Sequence, residues 1–356
     1  MGQPDTSYRA LAKLGGILRD FTADEGPAPT PGKVFVDLGV AVERARVQNP
    51  WFTREEVLHA LRHWGKVLQE ESLLQWFSAY PGNPGKSATV ALIMAGNVPL
   101  VGFHDLVSVL MTGHRALVKT ASSDSVLLPA MRDVLVSFDP GLSGRIAFET
   151  GTLSGFDAVI ATGSNNTSRY FDYYFGGHPH IIRKNRNSVG ILTGNEGVAE
   201  LEGLADDIFR YFGMGCRSVS KIYVPEGYDF DGLFNAFFRH KHRIDHHKYA
   251  NNYDYNKAVY LMSGAPMLDN GFLLVKEDGG LGSPIGTLFY ETYSSPEALR
   301  EHLAGLSEDL QCIVGPKDIP GAIPFGASQQ PALDAYADNV DTVAFLQSVT
   351  ADQSVP

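Results

Sequence analysis

Residues 88–123 read ATVALIMAGNVPLVGFHDLVSVLMTGHRALVKTASS, and the fold class turns on how this stretch is parsed. Residues 88–95 are a near-continuous apolar run. The run is too short for a helix, which predicts a strand buried on both faces. Residues 100–111 carry apolar side chains at helical spacing and stop at Gly113. Residues 115–119 form a second short strand that ends in a lysine. Strand, helix, strand in so little chain is a βαβ unit, and its strands run parallel.

The same alternation continues outward. A helix is expected over 124–138 with Ser123 as its cap, then strands at 145–148 and 157–162, a helix at 165–175 and a strand at 180–183. Upstream, residues 1–80 read mostly helical. Thr53 and Glu56 have capping-box spacing, and PGNPG at 81–85 breaks the chain. Downstream, strands are expected at 189–192, 219–224, 272–275, 287–290 and 311–314. Helices are expected at 197–212, 231–239 and 296–306. The prediction is an α/β protein of two α/β domains. The first, 1–187, holds a parallel sheet and a helical N-terminal part. The second is 188–330, and the segment 331–356 returns to the first.

Composition sets outer limits. The chain has 356 residues and a formal charge of −11, from 29 Lys and Arg against 40 Asp and Glu. That balance argues against a nucleic-acid partner. The two cysteines, Cys216 and Cys312, are too few for a disulfide framework. No secretory signal opens the chain, and the longest apolar run is about half a membrane span. A soluble, cytoplasmic protein is expected.

Several motifs invite chemistry. GNPGKS at 82–87 looks like a phosphate loop, but the position that needs the first glycine is Tyr80. Gly213-Met214-Gly215 lacks the third glycine of a dinucleotide fingerprint. His240, His242, His246 and His247 could suggest zinc, but Lys241, Arg243 and Lys248 lie among them. A polar face is the expectation there, and no metal. Cys312 sits inside an apolar strand and reads as structural. Cys216, in YFGMGCRS, is flanked by glycines that let a substrate approach and by Arg217, which favours thiolate. Nucleophilic and structural readings of Cys216 weigh equally on spacing alone. Asn97 stands at a strand end, as an oxyanion donor or a helix cap. Lys119 with Ser122 and Ser123 marks a second strand end, and Gly163-Ser164 a third.

In this order, AGNVP, VKTASS, ATGS and GMGCRS resemble the aldehyde dehydrogenase superfamily. Within it, SATVALIMAGNVPLVGFHDL, ALVKTASSDS and YFGMGCRSVSKIYVP resemble the acyl-CoA reductase family, which includes the reductase of bacterial bioluminescence. The likeness is clearest over residues 88–225. It implies an aldehyde dehydrogenase-like fold with a cofactor domain, a catalytic cysteine domain and an active site in the cleft between them. It makes Cys216 the nucleophile and assigns the oxyanion to Asn97 and the Cys216 amide. It places Lys119 on the adenosine ribose and Gly163-Ser164 against the pyrophosphate.

The departures from the superfamily pattern point to the reaction. Where aldehyde-oxidising members carry a water-activating Glu, residues 183–188 read RKNRNS, with no carboxylate. Without that base an acyl-enzyme resists water. Where many members place a ribose-binding Glu, Ser122 or Ser123 stands, which would tolerate a 2′-phosphate. The glutamate that usually grips the nicotinamide ribose has no match in 279–284. The expectation is NADPH-dependent reduction of a fatty acyl thioester to the aldehyde, with NADH as the alternative cofactor. The donor would be a fatty acyl-CoA or an acyl-protein. A homo-oligomer or an acyl-protein synthetase is the expected protein partner. The alternatives are a CoA-acylating aldehyde dehydrogenase running oxidatively, a non-catalytic acyl-binding homologue and a thiol hydrolase. His104, about two helical turns after Asn97, could protonate a leaving group, but packing or surface exposure is the expectation.

Overall fold

The computed structural model describes residues 3–23, 32–82, 85–163, 170–171 and 173–349. The chain divides into two compact units, Met1–Lys184 with Ala332–Pro356, and Asn185–Pro331.

The first unit opens with four helices, α1 (Tyr8–Phe21), α2 (Lys33–Gln48), α3 (Arg54–Val67) and α4 (Glu70–Phe77). Thr53 caps α3, its hydroxyl oxygen accepting from the Glu56 amide at 3.3 Å. The sheet follows: β1 (Thr89–Ile93), β2 (Arg115–Lys119), β3 (Ile146–Phe148), β4 (Ala158–Thr162) and β5 (His180–Arg183). All pairings are parallel, in the order β3-β2-β1-β4-β5. Central β1 explains its sequence, since Val90, Ala91 and Leu92 are buried by layers on both faces. Helix α5 (Phe103–Met111) is buried at every residue but His104.

That burial leaves one charge in α5 to be matched. Asp105 receives Arg183 at 2.9 Å and 2.7 Å, and Arg183 also donates to Thr342 Oγ1 at 2.9 Å. Residues from α5, the end of β5 and the helix Thr342–Ser348 are thereby joined. The C-terminal segment is held further by Trp76 Nε1 on Tyr336 Oη and by His104 against the Leu333 carbonyl, both 2.8 Å. His104 is also ringed by Trp64, Trp76 and Tyr336, so it serves packing. Buried His114 accepts from the Ala88 amide through Nδ1, which leaves Nε2 to donate to the Leu346 carbonyl. Burial depresses its pKa and keeps it neutral, as that tautomer requires.

The second unit carries a six-stranded sheet in the order β11-β6-β7-β10-β9-β8. Its strands are β6 (Asn187–Ile191), β7 (Val219–Pro225), β8 (Leu268–Asp269), β9 (Leu274–Glu277), β10 (Thr287–Tyr293) and β11 (Leu310–Val314). The β8–β9 pair is antiparallel and the rest are parallel. Helices Val198–Phe209 and Asp231–Phe237 pack together beside it.

Two local expectations change. The helix after β2 does not begin at Asp124 under a Ser123 cap. A 3-10 turn occupies Ser122–Asp124 and helix α6 is Leu127–Phe138. The helix expected over 197–212 ends at Phe209, because Tyr211 and Phe212 enter the left-handed region. The helix expected at 165–175 lies partly outside the described residues.

Candidate active site

In the first unit, the order β3-β2-β1-β4-β5 reverses direction between β1 and β4. A doubly wound sheet binds its ligand beyond the carboxyl ends of the strands at such a point. Asn97 follows β1, Lys119 closes β2 and Gly163 follows β4, so one sheet edge gathers all three. Ser164 lies outside the described residues. Lys119 Nζ donates to the Gly151 carbonyl at 2.7 Å. Ser122 is exposed, and its carbonyl accepts from the Gln48 side chain. Ser123 instead holds the neighbouring loop, donating to the Gly96 carbonyl at 2.9 Å. Glu149, which the sequence did not single out, accepts from the Gly151 amide at 2.7 Å. Lys119 and Glu149 therefore grip the same residue from opposite sides.

The Asn97 loop is tightly built. A Cβ on Gly96 would collide with Ser123 Oγ and lie 2.8 Å from Ala121 Cβ. Leu100 has φ 58°, a strained value for leucine, and its amide donates to Asp124 Oδ2 at 2.9 Å. Gly96→Ala is expected to break the Ser123 contact, to cost about 1–3 kcal/mol of stability and to slow turnover about tenfold. Denaturant melts and initial rates check this, and unchanged values for both would contradict it.

Burial raises the Asp124 pKa from 3.8 to about 6, partly relieved by the amides of Leu100 and Leu127. A folded value above the unfolded one means that folding favours the protonated acid. Its contribution to stability is full below pH about 4 and is lost as pH rises through about 6. Asp124→Asn keeps an acceptor for Leu100 and carries no charge. The variant is expected to be more stable than the parent at about pH 8, by roughly 1–3 kcal/mol, with the gap closing near pH 4. Denaturant midpoints at the two pH values measure it. A parent more stable at the higher pH would overturn the expectation.

In the second unit, Cys216 precedes β7. The Ser218 amide donates to the Gly215 carbonyl at 2.9 Å, which closes a turn with Cys216 and Arg217 at its centre. The turn is fastened on several sides. Gly215 N–H donates to Ser218 Oγ at 3.2 Å, and Gln329 Nε2 donates to the same oxygen at 3.1 Å. Ser188 Oγ, on β6, donates to the Cys216 carbonyl at 2.8 Å. Gln329 belongs to a segment tied down by buried Asp207, which accepts from the amides of Gly326 (2.6 Å) and Ser328 (2.9 Å).

Cys216 is half-buried, and its thiol donates to Asn185 Oδ1 across a long 3.8 Å. One neighbour of this sulfur is thus an amide, which cannot take a proton as a carboxylate does. Arg217 stands close enough to both cysteines to interact electrostatically with each. Cys312 on β11 is 3.1 Å from Ser188 Oγ. The Ser188 hydrogen is committed to Cys216, so Cys312 donates in that contact. Burial raises the Cys312 pKa and keeps it a thiol.

The backbone leading to Cys216 is unusual. Tyr211 (φ 53°), Phe212 (φ 55°) and Gly213 (φ 75°) are left-handed in succession, at a cost of about 1–2 kcal/mol for each non-glycine. The histidine group is only in part the polar face expected from sequence: His242 and His247 are exposed, and His240 and His246 pack inward. His240 is buried, stacks on Phe209 at 5.0 Å and approaches Asp206 at 3.1 Å. His246 packs on Phe212 at 4.7 Å. Among the described residues, no group of three or more His, Cys, Asp or Glu side chains could hold a metal ion. No described helix is long and apolar enough to cross a membrane.

The profile of the family described as acyl-CoA reductase (LuxC) matches residues 51–233, a span that contains Asn97, Lys119, Asn185 and Cys216. The chain belongs to the acyl-CoA reductase family. Among its relatives is the long-chain acyl-protein thioester reductase 2 of Photobacterium leiognathi, 25% identical over 187 residues, or 48% of this chain. That alignment spans 39% of the relative's own length. Similar solved structures include an oxidoreductase from Marinobacter aquaeolei, with TM-score 0.61, 13% identity, and coverage of 98% of this chain and 90% of that one. Aldehyde dehydrogenase 21 from Physcomitrella patens, in complex with the reaction product succinate, gives TM-score 0.61 at 12% identity and covers 96% and 87% of the two chains. The fold of this family member is therefore the aldehyde dehydrogenase-like α/β fold expected from the motifs.

Proposed function

We propose that the protein reduces a fatty acyl thioester to the aldehyde through an acyl-enzyme on Cys216. The observation that carries this reading is the Cys216–Asn185 contact. A thiol beside an amide, with Arg217 near, can accept an acyl group, and the stretch 183–188, which supplies Asn185, carries no carboxylate to activate water. Membership of the acyl-CoA reductase family supports the same chemistry.

Cys216 Sγ attacks the acyl carbonyl, the carbon–sulfur bond to the donor breaks, and the donor leaves as its free thiol. Asn97 and the Cys216 amide are the proposed oxyanion donors, each worth about 2.7–4 kcal/mol where such a group acts. The hydrogen-bonded turn fixes the sulfur before substrate arrives. Collapse of the reduced adduct returns Sγ and releases the aldehyde. The donor is a fatty acyl-CoA or an acyl-protein.

The first unit fits a dinucleotide. Its sheet reverses at β1/β4, Gly96 leaves no room for a side chain, and Lys119 closes β2. Lys119, Ser122 and Gly163-Ser164 are the proposed holding residues, and Ser123 supports them through Gly96. When bound, the reduced nicotinamide supplies hydride to the thioester carbonyl. NADPH is the proposed cofactor, because Lys119 and Ser122 suit a 2′-phosphate. The Gly151 amide orients the Glu149 carboxylate, whose charge counts against a 2′-phosphate, while Lys119 and Ser122 count for it.

Aldehyde formation from dodecanoyl-CoA, followed with NADPH and with NADH, tests this reading. The expected result is a kcat/KM at least about tenfold higher with NADPH, the worth of one charge-assisted contact. Equal values would remove the 2′-phosphate assignment, and no aldehyde with either cofactor, from acyl-CoA or acyl-protein, would remove the reaction.

A further inference from the structure

The left-handed run at 211–213 stands only a few residues before Cys216, and the structure surrounds it with groups the chemistry above does not use. The Phe212 ring is buried. The Arg243 guanidinium carbon lies 5.0 Å from its centroid, His246 packs at 4.7 Å and Tyr249 at 6.0 Å. Arg243 is itself almost fully buried, at 2% exposure. Tyr249 is fixed in turn, its hydroxyl donating to the Phe272 carbonyl at 2.9 Å. A buried cation over an aromatic face is held strongly, because neither partner has water to return to. Strained backbone persists where its surroundings over-determine it, and it gathers at functional sites.

We propose that Arg243 is a positioning residue for Cys216: by clamping the Phe212 ring it holds residues 211–213 left-handed and so sets the place of the nucleophile turn. Arg243 acts through the Phe212 ring and not on the substrate. His246 and Tyr249 complete the clamp, which gives the histidine-rich segment a role without a metal. The proposal rests on the reading of Cys216 as the nucleophile.

The test follows Cys216 acylation by dodecanoyl-CoA in the full-length protein, by single-turnover mass spectrometry, beside NADPH affinity and thermal melting. Arg243→Met keeps the stem and removes the charge. It is expected to slow acylation about tenfold or more, as small displacements of a reacting group do, with NADPH affinity unchanged. Arg243→Lys keeps a cation over the ring and is expected to recover the rate to within about threefold of the parent. Phe212→Leu removes the ring and leaves the cation, and serves if Arg243→Met fails to fold; it is expected to match Arg243→Met. Wild-type acylation rates in Arg243→Met or in Phe212→Leu would overturn the clamp. Equal losses in the Lys and Met variants would also overturn it. A parent protein that acylates elsewhere than Cys216, or nowhere, would instead overturn the nucleophile reading and the clamp with it.

Discussion

Cys216→Ala is expected to lose aldehyde formation by about a thousandfold or more, because the reaction then has no covalent route. The same variant is expected to fold normally. The side chain is half-buried, and the fastenings of its turn use backbone atoms and the side chains of Ser188, Ser218 and Gln329, not the sulfur. The loss should fall on kcat, with NADPH affinity retained, since Lys119 and Ser122 belong to the first unit. Cys312→Ala provides the contrast. Cys312 is a thiol held by burial and by Ser188, so its removal should leave most of the activity. Initial rates and a cofactor titration on the two variants decide the matter. A Cys216→Ala protein with near-parental activity would end the covalent account.

Asp105→Ala is expected to destabilise the first unit by about 3–5 kcal/mol, the cost of leaving one member of a buried pair uncompensated. Asp105 and Arg183 are each at most 5% exposed, and the guanidinium also holds Thr342. The variant therefore strands a buried cation and loosens the C-terminal segment together. Asp105→Asn, which can still accept from Arg183, should lose less. Denaturant midpoints with unchanged m-values measure the effect. A shift equivalent to less than about 1 kcal/mol would place the pair among weak surface contacts.

The sheet of the first unit was legible because burial on both faces writes itself as unbroken apolar sequence, as at Val90, Ala91 and Leu92. Asn97, Lys119 and Gly163 could be placed at strand ends for the same reason. Ser123 could not be assigned from local spacing. A hydroxyl before an apolar helix reads as a cap, but its acceptor is the Gly96 carbonyl, supplied by the neighbouring strand's loop. Glu149 was missed because a carboxylate after a three-residue strand carries no pattern until β3 is seen beside β2.

The surroundings of Cys216 were legible only in outline. The missing carboxylate in 183–188 could be read, while Asn185 as the sulfur's neighbour needed the fold. Ser188 and Cys312 are 124 residues apart in sequence, and only the pairing of β6 with β11 joins them. The charges of the histidine segment suggest solvent, which holds for His242 and His247. His240 and His246 pack on Phe209 and Phe212 instead, and a buried cation over a ring leaves no periodic trace. The left-handed turn was hidden for a related reason, since tyrosine and phenylalanine are not the residues that announce one.

In the proposed reaction an acyl group waits on Cys216 until reduced cofactor discharges it. Intact-mass measurement after brief exposure to dodecanoyl-CoA shows whether it does. One added acyl group on Cys216 is expected, stable without NADPH and released as dodecanal when NADPH is added. An adduct that hydrolyses to the free acid at the same rate with or without NADPH, or a protein whose mass never changes, would contradict it.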